Sequence, residues 1–143
     1  MSRLAALATL IAVTGLSAQD VTKEMEKLNG VWVATSADSG GVKVPADDVK
    51  DFKLTIKGGE YTASLGKEEQ KGTLKIDPTK KPMTMDITLD TGPNKGKTQL
   101  AIYELQAGVL KVCVSDIDKK ERPTNFDTKD KPGVTLLVFK KGM

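Results

Sequence analysis

The first candidate for a functional side chain is Arg122, which lies in the run Arg122-Pro123-Thr124-Asn125-Phe126 before the last predicted strand. A guanidinium can stack on an indole and donate hydrogen bonds to backbone carbonyls. Trp32, the only tryptophan of the chain, is the candidate partner. Two roles remain open for Arg122. It is either a structural latch between Trp32 and the loop before the last strand, or an anion-binding group at the mouth of a barrel.

Tyr103 and Glu104 are neighbours on a predicted strand, so their side chains point to opposite faces. If Tyr103 points inward, Glu104 is solvated. If Glu104 points inward, it needs a partner, for which Arg122 is the candidate. The sequence pattern is compatible with both arrangements.

Met83 and Met85 lie on one face of another strand. Methionine is flexible and polarisable, so the pair either lines an adaptable apolar pocket or belongs to an ordinary core. Asp86 lies on the opposite face of that strand, which predicts that it is exposed.

Several kinds of site are excluded by composition. The chain has no histidine and one cysteine, Cys113, which rules out His/Cys zinc sites and histidine-dependent nucleophiles. Glycoside hydrolysis needs two carboxylates facing each other across a cleft, and the 19 acidic residues are scattered instead. We therefore predict no enzymatic activity, no metal site and no cofactor. Cys113 is interpreted as a small buried hydrophobe, with a reactive thiol or an intermolecular bridge as the alternative.

Nucleic-acid binding is also not expected. The 22 Lys and Arg exceed the 19 Asp and Glu by only +3, and the two signs are interspersed along the chain. Aromatic residues make up 4% of the sequence, too few for a stacking surface beside a basic face.

The first residues are typical of a secretory signal peptide. Arg3 precedes an apolar run from Leu4 to Leu16, with small residues near its end. The run is shorter than the ~20 residues that span a bilayer. We assign residues 1–18 to the signal peptide and residues 19–143 to a single exported domain, periplasmic or extracellular, with no membrane span after cleavage. The sequence gives no indication of its oligomeric state.

The elements that must position these side chains are predicted to be strands. A short helix from Asp20 to Leu28, with Asp20 as its N-cap, leads into a strand over Gly30–Ser39 on which Trp32, Ala34 and Ser36 alternate with the intervening residues. About seven further strands follow at short intervals, punctuated by Gly, Pro and Asp, and one of them is predicted over 72–76. This spacing predicts an all-β, antiparallel, roughly eight-stranded barrel with a short N-terminal helix, and Trp32 is expected to plug one end.

Two resemblances agree with this architecture. Gly30-Val31-Trp32 resembles the G-x-W motif of lipocalins. Over nearly all of the mature chain, the sequence also resembles a family of small exported domains of planctomycete bacteria. The motifs that carry this likeness include Leu28-Asn29-Gly30-Val31-Trp32, Asp77-Pro78, Ile102-Tyr103-Glu104-Leu105 and Arg122-Pro123-Thr124-Asn125-Phe126. That resemblance implies a lipocalin-like fold and export, and no established activity.

An eight-stranded barrel is either filled by side chains or able to hold one small ligand. The leading prediction is a lipocalin-like domain that binds a small hydrophobic molecule among Trp32, Arg122, Tyr103, Glu104, Met83 and Met85. Ala34, Ala63 and Ala101 would leave space if they face inward. The alternative is a structural or protein-interaction domain of the cell envelope with a solid core. It would contain no cavity larger than a water or two and would carry an exposed apolar patch.

Overall fold

The chain folds into a closed antiparallel barrel. The computed structural model describes residues 18–142. Two helices lie near the start: α1 (Ala18–Leu28) and α2 (Ala46–Val49). The strands are β1 (Gly30–Ser39), β2 (Val42–Lys43), β3 (Phe52–Lys57), β4 (Glu60–Leu65), β5 (Glu68–Asp77), β6 (Met83–Leu89), β7 (Thr98–Gln106), β8 (Val109–Ser115) and β9 (Val134–Lys141).

Eight of these strands form the barrel. β3 to β9 pair in sequence order, and β1 pairs with both β3 and β9. The β1–β9 ladder runs from Trp32 opposite Lys141 to Ser39 opposite Thr135, and it closes the ring. The two-residue β2 pairs only with the end of β1. The predicted all-β, eight-stranded barrel with a short N-terminal helix is confirmed.

A bulge in β1 changes which side chains enter the core. The register against β9 shifts between Ala34 and Ser36, so Thr35 is exposed and Ala37 is buried. The predicted alternation of Trp32, Ala34 and Ser36 on one face is therefore wrong after Ala34. A bulge adds one residue to one strand, which shifts every later side chain to the opposite face.

Helix α1 packs at one end of the barrel, called here the helix end, where it contacts β3 and β5. Leu28 is fully buried, and Val21 and Met25 pack against the barrel core. The helix begins at Ala18, so Asp20 lies in its first turn and the predicted N-cap at Asp20 is wrong. A carboxylate in the first turn still interacts favourably with the positive end of the helix dipole.

Strand β5 begins four residues before its predicted start at Gly72. The added residues, Glu68 to Lys71, pair with β4 from Leu65 back to Thr62. All four have polar side chains, so they carry no apolar alternation that could reveal a strand. The ladder with β4 keeps this segment extended.

The predicted signal peptide, residues 1–18, lies outside the described residues except for Ala18. Within 18–142, neither helix is long and apolar enough to cross a bilayer.

Trp32 is sealed inside the barrel, as its position after Gly30 predicted. Its side chain is 1% exposed, and its indole Nε1 donates a hydrogen bond of 2.8 Å to the carbonyl of Leu28. The bond satisfies the buried N–H and ties the end of α1 to the first strand.

The variant Trp32→Ala tests this anchor. It should lower the free energy of unfolding by about 3–5 kcal/mol, because it empties a large buried volume and removes the bond to Leu28. Urea denaturation followed by far-UV circular dichroism measures the change. Val42→Ala is the control, since Val42 is 70% exposed and should shift stability by less than ~0.5 kcal/mol. Equal effects of the two variants would contradict the anchoring role.

Candidate functional site

The barrel contains a cavity of about 240 Å³. Inward-facing side chains from β3 to β9 line it, and most are aliphatic or aromatic, such as Leu54, Ile87, Leu110 and Leu137. Ala63 also lines the cavity and leaves space on the β4 side. We call this cavity the lumen. It is larger than the 150 Å³ apolar cavity known to bind benzene.

The polar lining of the lumen lies mainly at the barrel end opposite α1, which we call the mouth: the end where β5, β7 and β9 begin and β8 ends. Gln70, Gln99, Asp116 and Thr135 line the lumen there. Asp116 directly follows β8, and Thr135 is the second residue of β9. The lumen is therefore apolar in its depth and polar at one end.

Hydrogen bonds hold both glutamines of the mouth in place. The Gln70 amide Nε2 donates to the hydroxyl of Tyr61 at 3.0 Å, and the Gln99 Nε2 donates to the carbonyl of Ser115 at 3.3 Å. The hydroxyls of Thr135 and Ser39 share a bond of 3.1 Å across the β1–β9 ladder. The polar groups of the mouth are thus positioned by the barrel itself.

Tyr61 shapes the wall beside Gln70. Its ring lies over Gly72, the opposite residue on β5, where an added Cβ would come within 2.6 Å of the ring and 2.1 Å of the Thr88 carbonyl. Only glycine leaves room for the Tyr61 ring at this position of β5. Burial raises the pKa of Tyr61, the hydrogen bond from Gln70 acts in the opposite direction, and the charge of Asp90 raises it further.

A second concavity of about 530 Å³ adjoins the mouth. It shares Phe52, Ala63 and Gln70 with the lumen. Its own lining includes Glu68 and Glu69 from the start of β5. The lumen thus continues outward between the β4–β5 hairpin and the β6–β7 loop.

At the helix end, the cation over the Trp32 ring is Lys141 and not Arg122. The Lys141 Nζ lies 4.5 Å from the ring centroid and donates a 2.6 Å hydrogen bond to the carbonyl of Asn29. Gly30 has a φ of +130°, and a Cβ there would lie 2.6 Å from the same Nζ. Glycine at the first position of the G-x-W motif therefore makes room for the lysine.

The predicted latch between Arg122 and Trp32 is wrong, and so is the placement of Arg122 at the mouth. Arg122 lies on the outer wall, where its guanidinium donates to Asp86 Oδ1 at 2.7 Å, to the Ala101 carbonyl at 2.8 Å and to the Met85 carbonyl at 3.3 Å. Trp32 and Arg122 are thus on opposite sides of the sheet. Asp86 does point outward, as predicted, and it pairs with Arg122 in place of Glu104.

Arg122 anchors the 116–133 loop over a small apolar cluster on the outer wall. Ile102, Cys113 and Val134 are buried there, and Phe126 and Leu136 pack against them. Cys113 is fully buried, and burial raises the pKa of its thiol, with Lys131 and Asp127 of the loop acting in opposite directions. These observations support the interpretation of Cys113 as a buried hydrophobe.

Tyr103 points inward and Glu104 outward, which is the first of the two predicted arrangements. Tyr103 is 2% exposed and packs in the barrel core near the helix end. Among the described residues, nothing forms a hydrogen bond with its hydroxyl. Burial, with the nearby charges of Glu24 and Asp77, raises the pKa of Tyr103 to about 12.

The two methionines have separate surroundings. Met85 is 2% exposed and lines the lumen. Met83 is half-buried and lines a surface groove with Pro82, Tyr103, Glu104 and Phe126. Of the six predicted site residues, only Met85 therefore lines the lumen. Of the three alanines expected to leave space, only Ala63 does so.

Sequence reasoning missed the polar residues of the mouth. Gln99 was detectable, because it shares the inward face of β7 with Ala101 and Tyr103. Gln70 lies in the unpredicted start of β5. Asp116 begins the 116–133 loop, and Thr135 follows it on β9. Whether they face the lumen depends on where β8 ends and β9 begins.

Within residues 18–142, no group of three or more Cys, Asp or Glu side chains is arranged to hold a metal ion. No family model, curated protein or solved structure matches the chain. The argument for function therefore depends on the lumen and its mouth.

Arg122→Ala should open the 116–133 loop and expose Cys113. Hydrogen bonds to a charged group contribute about 1.5–3 kcal/mol, so the loop should open roughly ten- to a hundredfold more often. The rate at which Ellman's reagent labels Cys113, the only cysteine, measures this opening. Lys27→Ala is the control, because it breaks an exposed ion pair with Glu24 on α1 and should leave the rate unchanged. An unchanged rate in Arg122→Ala would show that the arginine does not hold the loop.

Tyr103→Phe should raise the free energy of unfolding at pH 7 by about 1 kcal/mol or more, because it removes a buried hydroxyl that has no partner. Tyr61→Phe is the matched control and should be destabilising, because Gln70 loses its acceptor. The native pKa of Tyr103 lies above its ordinary 10.0, so between pH 10 and 12 the hydroxyl ionises in the unfolded state while it stays neutral in the native state. Titration of Tyr103 therefore leaves the free energy of unfolding unchanged below pH 10 and lowers it as the pH rises toward 12.

The stability of the wild type should consequently fall between pH 10 and 12 more steeply than that of Tyr103→Phe. Urea denaturation at pH 7 and pH 11 measures both effects. A loss of stability in Tyr103→Phe at pH 7 would contradict the unpartnered hydroxyl.

Proposed function

We propose that this protein is an exported, lipocalin-like binding module that holds one small, mainly apolar molecule in its lumen and catalyses no reaction. The observation that carries the proposal is the cavity of about 240 Å³ inside a closed barrel. Its depth is lined by apolar side chains and its mouth by a few fixed polar groups. That division is typical of small-molecule sites.

A small side chain at an inward position helps to keep the lumen open. Ala63 lines the cavity on β4, where a larger residue such as leucine would fill part of it. Retention of the space therefore favours a molecule that occupies it.

The solid-core alternative has less support. It requires a cavity no larger than a water or two, and one water occupies about 30 Å³ in the liquid. It also requires an exposed apolar patch for a partner protein. Among the described residues, the large hydrophobic side chains that are exposed are Val42 and Leu65, on β2 and at the end of β4. Two such residues are ordinary for a protein surface.

Export and family membership are part of the same proposal. Their support is the apolar run after Arg3 and the ordered motifs shared with the small exported planctomycete domains. A carrier of this kind needs only a stable barrel and a shaped interior.

Ala63→Leu tests the lumen with N-phenyl-1-naphthylamine, a neutral probe whose fluorescence rises in apolar surroundings. The wild type should bind the probe at one saturable site. The variant should raise the dissociation constant at least tenfold, because leucine fills space that the probe needs, while stability stays equal or improves. Thr62→Leu is the matched control, since Thr62 adjoins Ala63 on β4 and points to the opposite face.

Equal affinities in Ala63→Leu and the wild type would place the probe outside the lumen. Absence of saturable binding to the wild type, together with no small molecule retained in native mass spectrometry of the protein from its own host, would overturn the proposed function.

A further inference from the structure

The mouth of the lumen presents hydrogen-bond acceptors beside the remaining N–H and O–H donors of its amides and hydroxyls. The Ser115 carbonyl can only accept, so Gln99 must turn its amide nitrogen toward it, which leaves the amide oxygen of Gln99 without a protein partner among the described residues. Gln70 likewise uses its amide nitrogen, on the Tyr61 hydroxyl. The Asp116 carboxylate also lies in the lining, and carboxylate oxygens accept hydrogen bonds.

Every charged residue that lines the lumen or the adjoining concavity is acidic. Asp116 lines the first, and Glu68 and Glu69 line the second. Within residues 18–142, no lysine or arginine lines either one, although the chain carries a net charge of +3. The charged side chains of these two linings are therefore opposite in sign to the net charge of the protein.

The acidic groups of the mouth are not neutralised by ion pairs. Among the described residues, ion pairs within 4.0 Å join Lys27 to Glu24, Lys50 to Asp47 and Arg122 to Asp86, and none involves Asp116, Glu68 or Glu69. Lys119 is a basic residue on the same loop, and its stem and the Asp116 carboxylate both lie beside Gly133. Its ammonium is still more than 4.0 Å from that carboxylate. Lys67 and Lys97, which flank β5 and β7, belong to the lining of neither cavity.

On the basis of the proposed function, we infer that the ligand is an amphiphile. It has a small apolar body and a positively charged head that donates hydrogen bonds, such as a primary amine. The apolar body lies in the lumen, and the head lies at the mouth, where it donates to the Asp116 carboxylate and to the amide oxygen of Gln99. A carboxylate or phosphate head would instead meet the like charge of the acidic side chains, so anionic amphiphiles such as fatty acids are disfavoured.

Three probes that share one alkyl chain test this assignment: octylammonium, 1-octanol and octanoate. Each displaces N-phenyl-1-naphthylamine from the wild type at pH 7 and 0.15 M salt. Because the chains are identical, differences in displacement report the head group. We expect the dissociation constant of octylammonium to be about tenfold lower than that of octanoate, with octanol between them or close to octylammonium.

Asp116→Asn should remove most of that preference, because it keeps the size of the side chain and deletes its charge. Asp118→Asn is the matched control. It makes the same change of net charge two residues away, at an exposed position that does not line the lumen, and it should keep the tenfold preference.

Three results would overturn the inference: equal affinities of octylammonium and octanoate, a preference for octanoate, or a preference that survives in Asp116→Asn. In each of these cases, displacement of the probe by octanol shows that the lumen still binds apolar molecules, so the proposed function stands. If no probe binds the wild type and Ala63→Leu changes nothing, the proposed function fails and the ligand class fails with it.

Discussion

The ladder between β1 and β9 is the constraint on which the rest of the structure depends. It sets Trp32 opposite Lys141 and so brings the ammonium of the last strand over the indole of the first. Because side chains alternate along each strand, closing the ring at this register decides which positions share the interior. The bulge after Ala34 also lies in this ladder. It turns the side chain of Ala37 into the core, and the pairing with β9 continues beyond it.

Some apolar side chains lie on the outside of the closed barrel. The outer faces of β7, β8 and β9 carry Ile102, Cys113 and Leu136, which a bare barrel would expose to water. The 116–133 loop covers them, and Arg122 anchors the loop to the wall through Asp86 and two backbone carbonyls. Arg122, the first candidate for a functional side chain, therefore has a structural role. Because its guanidinium lies on the outer wall, it places no positive charge in the interior.

Much of the fold could be predicted because its signals are local. Glycine and proline mark the ends of many strands, and the alternation on β3 and β6 assigned the inner faces correctly, whereas the alternation on β7 left both faces possible. The start of β5 could not be predicted, since Glu68 to Lys71 are held in the sheet by backbone pairing with β4 and not by burial. The partner of Trp32 could not be predicted either. Arginine and lysine both suit an indole, and only the register of the last strand selects Lys141.

The candidate site was harder to predict for a further physical reason. The volume of a lumen is a small difference between the space that a barrel encloses and the space that its side chains fill, and no single strand determines it. Ala63 adds space only because Leu54 and Gln70, its neighbours on β3 and β5, line the same cavity. The polarity of the mouth is a collective property as well. Gln70, Gln99 and Asp116 come from three separate segments, and they form one polar rim only after the barrel has closed.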